Sequence, residues 1–250
     1  MPEQAVTEAT WPIFMTKLKD RKEVAERTMA FQFERPANWT FKAGQFIDIT
    51  LANPPETDAE GNTRGFSIAS APEEDFLMVT TRLRNTAFKR SIQKVPLGTE
   101  FKVEGPFGNL ILHNNISRPA VLLAGGIGIT PMRSIVVRAA IENLPHHISL
   151  FYSNHRPEDA AFLDELEALH KKNPNFRLIA TMTDMEKSHR SWQGERGMIN
   201  RDMLSKYLKG VDNAIYYISG PPGMVKGLHN TLNSTGIDDD DIRTEEFAGY

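Results

Sequence analysis

The spacing of hydrophobic residues changes once along the chain, near Ser117, and this change limits the folds that the sequence can adopt. Before it, short alternating segments are separated by turn formers such as Asn53-Pro54-Pro55, which is typical of antiparallel strands in a small barrel. After it, apolar strands alternate with longer amphipathic helices, which is typical of a doubly wound parallel sheet. We therefore predict two domains, an antiparallel β-barrel over residues 1–116 and an α/β domain over residues 117–250.

The same patterns predict the individual elements. In the first domain, strands are predicted over residues 24–35, 45–51, 64–70, 76–84 and 100–104, and a helix over residues 86–95. In the second domain, strands are predicted over residues 120–124, 148–152, 176–181, 214–219 and 241–247, and helices over residues 131–143, 157–172, 201–209 and 223–235. Thr130 and Pro131 suit the N-cap and the first turn of the first of these helices.

The charge balance argues against partners that are recognised by bulk electrostatics. The net charge is −3, so there is no basic excess to attract nucleic acid or an anionic membrane. No stretch approaches the roughly 20 apolar residues of a membrane span. The start of the chain lacks the basic and apolar regions of a secretory signal. We expect a cytoplasmic monomer that binds small molecules or modest protein partners.

Cysteine is absent from the sequence. Thiolates hold iron–sulfur clusters and structural zinc, act as nucleophiles and form disulfides, so all of these are excluded. Redox chemistry would therefore require a bound organic cofactor. The seven histidines show no metal-ligand spacing, and the acidic run at residues 238–241 is typical of a solvated turn, so no metal site is predicted.

A glycine-rich turn follows the first predicted strand of the second domain. Gly125, Gly126 and Gly128 precede a helix start, where free amides and the helix dipole favour a pyrophosphate. The same residues would also form a tight turn that binds nothing. The usual dinucleotide fingerprint is incomplete, because Pro131 stands at its third glycine and Ser153-Asn154 follows the next strand in place of an acidic residue.

On a predicted barrel strand, Arg64-Gly65-Phe66-Ser67 offers a bidentate cation, an aromatic plane and a hydroxyl within four residues. These groups suit a flavin pyrophosphate, an isoalloxazine face and the flavin N5 edge. An ordinary strand with Arg and Ser outward and Phe inward would look the same.

These four residues open a series of short segments that continues along the chain. The others are Thr80-Thr81-Arg82-Leu83, Thr86-Ala87-Phe88-Lys89, Gly105-Pro106-Phe107-Gly108, the Gly125 turn, Trp192-Gln193-Gly194-Glu195-Arg196-Gly197, Ser219-Gly220-Pro221-Pro222-Gly223-Met224 and Glu245-Glu246-Phe247. In this order they resemble the ferredoxin–NADP reductase superfamily, specifically its stand-alone FAD- and NAD(P)-binding oxidoreductases. The resemblance covers nearly all of the chain from Pro12 onward.

The resemblance implies an FAD site on the barrel and a nicotinamide nucleotide site on the α/β domain. The implied FAD-binding residues are Arg64, Gly65, Phe66, Ser67, Val79, Thr80, Thr81, Ala87, Phe88, Lys89, Thr130 and Phe247, with Tyr250 as an alternative aromatic shield because the chain continues past Phe247. The implied nucleotide-binding residues are Gly125, Gly126, Gly128, Ile129, Thr130, Pro131, Gly220, Pro221 and Met224. The implied catalytic residues are Ser67, Glu246 and Phe247. Many relatives have Cys where Ser219 stands.

The ends of the next two strands of a parallel sheet should flank the adenosine ribose. These ends carry Ser153, Asn154, Arg156 and Asp184. Arg156 could meet a 2′-phosphate, whereas Asp184 would repel one, and we expect a slight preference for NADH over NADPH.

We therefore predict an FAD-containing NAD(P)H reductase that passes electrons to a separate acceptor such as a ferredoxin, a flavodoxin or another redox protein. One alternative is a reductase of free flavin or a small-molecule acceptor. Others are a non-catalytic flavin-binding electron-transfer or regulatory subunit and a nucleotide-binding module without flavin. A local basic stretch is consistent both with docking an acidic carrier and with neutralising FAD phosphates; it comprises Arg82, Arg84, Lys89, Arg90 and Lys94.

Overall fold

The computed structural model describes residues 11–247. Its first half contains β1 (Ile13–Ala25), β2 (Thr28–Glu34), β3 (Phe46–Leu51), β4 (Thr63–Ser67), β5 (Phe76–Arg82), α1 (Ala87–Lys94) and β6 (Glu100–Phe107). Its second half contains β7 (Ala120–Gly125), α2 (Ile129–Ile141), β8 (Ile148–Asn154), α3 (Leu163–Lys172), β9 (Phe176–Met182), β10 (Glu195–Arg196), α4 (Arg201–Tyr207), β11 (Ile215–Gly220), α5 (Pro222–Ser234) and β12 (Ile242–Glu246). The predicted boundary at residue 117 falls between β6 and β7.

The N-terminal strands form one antiparallel sheet that curls on itself. The strand order is β4-β3-β6-β1-β2-β5, and the two edge strands meet where Ile68 bridges Val79. Alternate side chains point to the interior and fill it with aliphatic and aromatic groups, among them Phe31, Ile47 and Phe101, each fully buried. The predicted antiparallel barrel is confirmed as a curled six-stranded sheet.

One predicted strand of the first domain belongs to two strands. The segment 24–35, predicted as a single strand, contains the end of β1 and all of β2, which pair as an antiparallel hairpin. Arg27 lies at the turn with a φ of 54°. An arginine in this left-handed conformation gives no turn signal in the sequence, because Gly, Asn and Asp are the residues that usually mark it.

The C-terminal strands form a parallel sheet in the order β10-β9-β8-β7-β11-β12. Hydrophobic cores lie on both of its faces, as expected for a doubly wound fold. The central strand β7 is buried along its whole length. The order reverses between β7 and β11, and ligands of such sheets bind at the carboxyl ends of the strands beside this reversal. Those ends carry Gly125 and Gly220.

The helix predicted over residues 157–172 is shorter than expected. A 3₁₀ turn at Pro157–Asp159 comes first, and α3 begins only at Leu163. Phe162 precedes the helix in the left-handed conformation, with a φ of 62°, so the regular helix starts only after it. Within residues 11–247, no helix combines the length and the apolarity needed to cross a membrane.

Candidate functional site

The glycine turn lies at the reversal point of the parallel sheet. Gly126 adopts a φ of 53°, and a Cβ at Gly128 would lie 2.1 Å from the carbonyl oxygen of Ser219. Both positions therefore need glycine for the turn itself. Thr130 does not cap the helix as predicted: α2 begins at Ile129, and the Thr130 hydroxyl donates to the carbonyl of Ile127 at 2.9 Å. α2 thus begins two residues earlier than predicted, and the 3₁₀ turn at Gly126–Gly128 precedes it directly.

A cleft of about 600 Å³ opens beside this turn, and we call it the sheet cleft. It is lined by Arg82, Gly125, Gly126, Ser153, Asn154, His155, Thr183, Met198, Ile199, Asn200, Pro221, Gly223, Met224, Gly227, Leu228 and Thr231. Asn154 is only 5% exposed, and neither atom of its amide has a hydrogen-bond partner among the described residues. Buried amides are normally paired. An unpaired amide that borders a cleft at the end of a strand fits a bound polar ligand, such as a dinucleotide.

Several predicted nucleotide residues do not line the sheet cleft. Four of them lie in or next to the glycine turn but are not part of the cleft lining, namely Gly128, Ile129, Pro131 and Gly220. Arg156 is held by both oxygens of Asp159, at 2.9 Å each, and by Glu26. Asp184 pairs with Lys187 at 2.5 Å. The cation expected to meet a 2′-phosphate is thus already engaged by two carboxylates.

A second cleft, of about 230 Å³, lies on the barrel where it faces α2, and we call it the barrel cleft. It is lined by Glu60, Arg64, Gly65, Phe66, Ser67, Thr80, Thr81, Arg82, Arg84, Thr86, Lys89, Ile127, Thr130 and Phe247. Thr80 is 4% exposed, and its hydroxyl has no partner within residues 11–247. Val79, Ala87 and Phe88 do not line it, because the side chains of Val79 and Phe88 point into the barrel core.

Beside the barrel cleft, the start of α1 and Arg64 donate hydrogen bonds to carboxylates, and we call these donors the anion cradle. The amide of Ala87 in the first turn of α1 donates to Asp58 at 2.8 Å, and Arg64 donates to Glu60 at 2.8 Å. Burial, together with the nearby Arg84 and Arg64, lowers the pKa of Lys89 to about 8. Crowded cations beside a helix N-terminus favour an anion. The cradle and the unpaired Thr80 hydroxyl fit the pyrophosphate and polar edge of FAD.

The predicted catalytic residue Ser67, which lines the barrel cleft, contacts a carboxyl group of β12. The Ser67 hydroxyl donates to a carboxylate oxygen of Glu245 at 3.4 Å. Burial raises the pKa of Glu245 from an ordinary value of 4.5 to about 7, even though the Ser67 hydrogen bond acts in the opposite direction. Glu246, the predicted acid, is exposed instead, because adjacent side chains in β12 point to opposite faces. The carboxyl group near Ser67 therefore belongs to Glu245.

The predicted aromatic shields are placed differently. Phe247 lines the barrel cleft, and its amide donates to the carbonyl of Gly220 at 3.0 Å. Tyr250 lies outside the described residues. Phe66 lines the cleft edge but is 9% exposed and packs in the barrel core against Phe88, with ring centroids 6.0 Å apart.

Sequence reasoning missed part of the sheet cleft wall. Met198, Ile199 and Asn200 lie in a loop before α4, and Leu228 and Thr231 lie on α5. No local pattern singles out these residues, since an amphipathic helix looks the same whether it packs on a sheet or borders a ligand. Arg82 belongs to one of the segments that carry the resemblance and to the basic stretch, but it is not among the predicted site residues, yet it lines both clefts.

An anion cradle on a curled antiparallel sheet, adjoining a glycine turn at the reversal point of a parallel sheet, defines a two-domain flavin- and nucleotide-dependent oxidoreductase. The family model for the oxidoreductase NAD-binding domain matches residues 122–230. The predicted class of protein, an FAD-containing NAD(P)H oxidoreductase with the fold of the ferredoxin–NADP reductase superfamily, is confirmed.

Three comparisons illustrate this. The glycine betaine monooxygenase reductase subunit of Chromohalobacter salexigens is 27% identical over 250 residues, covering 97% of this chain and 67% of that protein. NADH-cytochrome b5 reductase 1 of Aspergillus oryzae is 27% identical over 232 residues, covering 88% and 77%. The structure of a ferredoxin NADP⁺ reductase from Neisseria gonorrhoeae with bound FAD and NADP aligns with a TM-score of 0.75 at 24% identity, covering 96% and 99%.

Proposed function

We propose that this chain oxidises a nicotinamide nucleotide, with NADH preferred, and passes the electrons through FAD to a separate redox protein. The observation that carries the proposal is the adjacency of the two clefts. Arg82 lines both of them, and Ile127 and Thr130 of the glycine-turn region form one wall of the barrel cleft. A dinucleotide in the sheet cleft would therefore reach the flavin site.

Each part of the barrel cleft has a separate task in this proposal. Arg64, Lys89 and the start of α1 hold the pyrophosphate. Ser67 and Glu245 form a short path for a proton between the cleft interior and β12. Phe247 covers the cleft and has to move when a nicotinamide ring enters. When bound, FAD accepts hydride and releases electrons singly or in pairs.

A redox-protein acceptor is supported by the names of the relatives, which include a reductase subunit of a monooxygenase and a cytochrome b5 reductase. The basic stretch gives less support than its sequence suggests. Arg90 is paired with both oxygens of Glu56, at 2.5 and 2.8 Å, and Lys89 donates inward to the carbonyl of Arg82 at 2.9 Å. Reduction of free flavin or a small acceptor is therefore the second candidate.

Stopped-flow mixing tests the proposal in two stages. Bleaching of the bound flavin near 450 nm by NADH establishes the first half of the reaction, and its failure with both nucleotides would leave only a non-catalytic flavin-binding subunit. Reoxidation of the reduced protein is then compared with ferredoxin, flavodoxin and free FMN. Faster reoxidation by a redox protein, with rates that fall as salt rises, supports the protein acceptor. Fast reoxidation by free FMN alone supports the second candidate.

A further inference from the structure

An arginine that lines neither cleft lies where α2 meets the barrel. Arg133 is 5% exposed. A guanidinium has five N–H donors, and here all five are used. Two bonds reach Glu165 at 2.8 and 2.6 Å, two reach Glu74 at 2.8 and 3.1 Å, and one reaches the carbonyl of Ala69 at 2.7 Å.

Three of these five bonds cross from the α/β domain to the barrel, because Ala69 and Glu74 belong to the barrel side while Glu165 lies on α3. The next residue of α2 makes a further bond across the junction. The Ser134 hydroxyl donates to the carbonyl of Ser70 at 2.6 Å. Consecutive residues of α2 thus hold consecutive carbonyls of the segment after β4. We call Arg133, Ser134 and Glu74 with these two carbonyls the α2 clamp.

The clamp holds the two segments that face each other across the barrel cleft. Ala69 lies two residues after Ser67, and Arg133 and Ser134 lie three and four residues after Thr130. Residues three and four apart share one face of a helix. Ser67 and Thr130 both line the barrel cleft. The clamp therefore fixes the spacing between the barrel strand that carries Ser67 and the helix start that carries Thr130.

Burying a charged group between two surfaces has a large desolvation cost, so stability alone does not explain its presence. Apolar residues of similar volume often stabilise a protein as well as a buried ion pair does. Directional bonds to a guanidinium fix orientation as well as distance, which apolar packing does much less. The three bonds from Arg133 across the junction, with the one from Ser134, define a single relative placement of the two domains.

We propose that the α2 clamp positions the nicotinamide site against the flavin site, so that Arg133, Ser134 and Glu74 are positioning residues for the transfer between them. This inference rests on the proposed function. A misplacement of about 1 Å between reacting groups lowers a rate by roughly a hundredfold. The effect should fall on the rate of flavin reduction, while FAD and nucleotide affinities stay unchanged, because the clamp lines neither cleft.

The two carboxylates of one guanidinium provide a matched test. Glu74→Gln weakens the bonds that cross the junction, whereas Glu165→Gln weakens the bonds within the α/β domain. We expect Glu74→Gln to slow flavin reduction at saturating NADH by at least tenfold, with FAD and NAD⁺ dissociation constants within twofold of wild type. The charge-transfer absorbance between nicotinamide and flavin should weaken as well. Glu165→Gln should keep the reduction rate within twofold, and Ser134→Ala should fall between.

Hydrogen exchange on the protein without FAD provides a readout that is independent of turnover. We expect faster exchange in residues 67–75 and 129–134 for Glu74→Gln but not for Glu165→Gln. Equal exchange in the two variants, or wild-type flavin reduction by Glu74→Gln, would overturn the clamp. Failure of the proposed function is distinct, because the wild-type flavin would then not be reduced by either nucleotide.

Discussion

At the scale of single residues, one acid and one base have pKa values displaced toward neutrality: Lys89 lines the barrel cleft, and Glu245 contacts Ser67, which lines it. Burial is the first cause in both cases: it raises the pKa of Glu245 to about 7 and lowers that of Lys89 to about 8. Desolvation always disfavours the charged form, so the acid and the base move in opposite directions. Both side chains change charge within the range where redox enzymes are assayed.

Replacing Glu245 with Gln should change how stability depends on pH. The folded pKa of about 7 lies above the ordinary value of 4.5, so Glu245 favours the folded state below about pH 4.5. That contribution is lost as the pH rises through about 7. We expect the melting temperature of Glu245→Gln, relative to that of wild type, to rise as the pH increases from 4.5 to 7. At pH 8 the variant should have the higher melting temperature of the two. Thermal unfolding of both proteins from pH 4 to 8 measures this; a constant difference would contradict it.

Lys89 should couple FAD binding to proton uptake. A bound pyrophosphate favours the charged ammonium, whereas Lys89 without a ligand loses its proton above about pH 8. FAD affinity should therefore fall as the pH rises from 8 to 10, by up to about tenfold per pH unit. Calorimetric titrations in buffers of different ionisation enthalpy measure the proton directly. In Lys89→Met the uptake should vanish, whereas Lys94→Met, in the last turn of α1, should retain it.

At the scale of elements, the start of α1 is held by a loop of the barrel itself. Asp58 accepts the hydrogen bond of Ala87, and the same carboxylate lies 3.6 Å from Arg64. Helix N-termini bind carboxylates and phosphates through the same amides and dipole. A pyrophosphate at this position has to displace Asp58 from it.

Asp58→Asn should therefore tighten FAD binding, because the competing charge is removed while the size of the side chain is kept. We expect a gain of roughly fivefold in FAD affinity. Fluorescence titration of the apo protein with FAD measures it. Glu56→Gln provides the control, since Glu56 lies in the same loop but pairs with Arg90 in the second turn of α1. Weaker FAD binding by Asp58→Asn would show that Asp58 supports the cofactor instead.

The end of β12 gives a second prediction at this scale. Phe247 lines the barrel cleft where a nicotinamide ring would stack, so the two rings compete. Removing residues 247–250 should tighten NAD⁺ binding by up to about tenfold, because aromatic stacking contributes roughly 0.5–1.5 kcal/mol. Titration of NAD⁺ into both proteins tests this, with Phe247→Tyr as the control that keeps an aromatic ring. Lower thermal stability with unchanged affinity would instead identify Phe247 as a residue that closes the sheet.

At the scale of the whole molecule, a contact between the domains also engages Arg156, the cation expected to meet a 2′-phosphate. Arg156 of the α/β domain pairs with Glu26 of the barrel as well as with Asp159. The Glu26 amide donates to the carbonyl of Glu158 at 2.7 Å, so the same corner of the barrel is fixed against the loop that carries Arg156. An arginine shared by two carboxylates has little attraction left for a third anion.

We therefore expect a kcat/KM for NADH that exceeds the value for NADPH by roughly tenfold, which corresponds to about 1.4 kcal/mol of discrimination. The double variant Glu26→Gln, Asp159→Asn should raise the value for NADPH, because Arg156 becomes free to meet a 2′-phosphate. Steady-state kinetics with both nucleotides decides this. A native preference for NADPH would show that another cation, such as Arg190, serves the 2′-phosphate.

The sequence by itself determined the two-domain architecture, the glycine turn and most of the elements around it. Those features are local, because neighbouring residues are enough to recognise strand and helix periods, turn formers and a strand–glycine–helix order. The segment Arg64-Gly65-Phe66-Ser67 and the glycine turn could be found in the same way, and both border the clefts of the folded chain.

Only the tertiary structure decided which side chains meet. Two adjacent glutamates end the last strand, and the pleat of β12 turned Glu245 rather than Glu246 toward Ser67, 178 residues away in the chain. Asp58 at the start of α1 and Arg133 between the domains depend on contacts between distant segments in the same way. Periodicity predicts that a strand exists, but a shift of one residue exchanges its two faces. The packing of the whole molecule decides which face of a strand points toward the site, and no local sequence pattern encodes that packing.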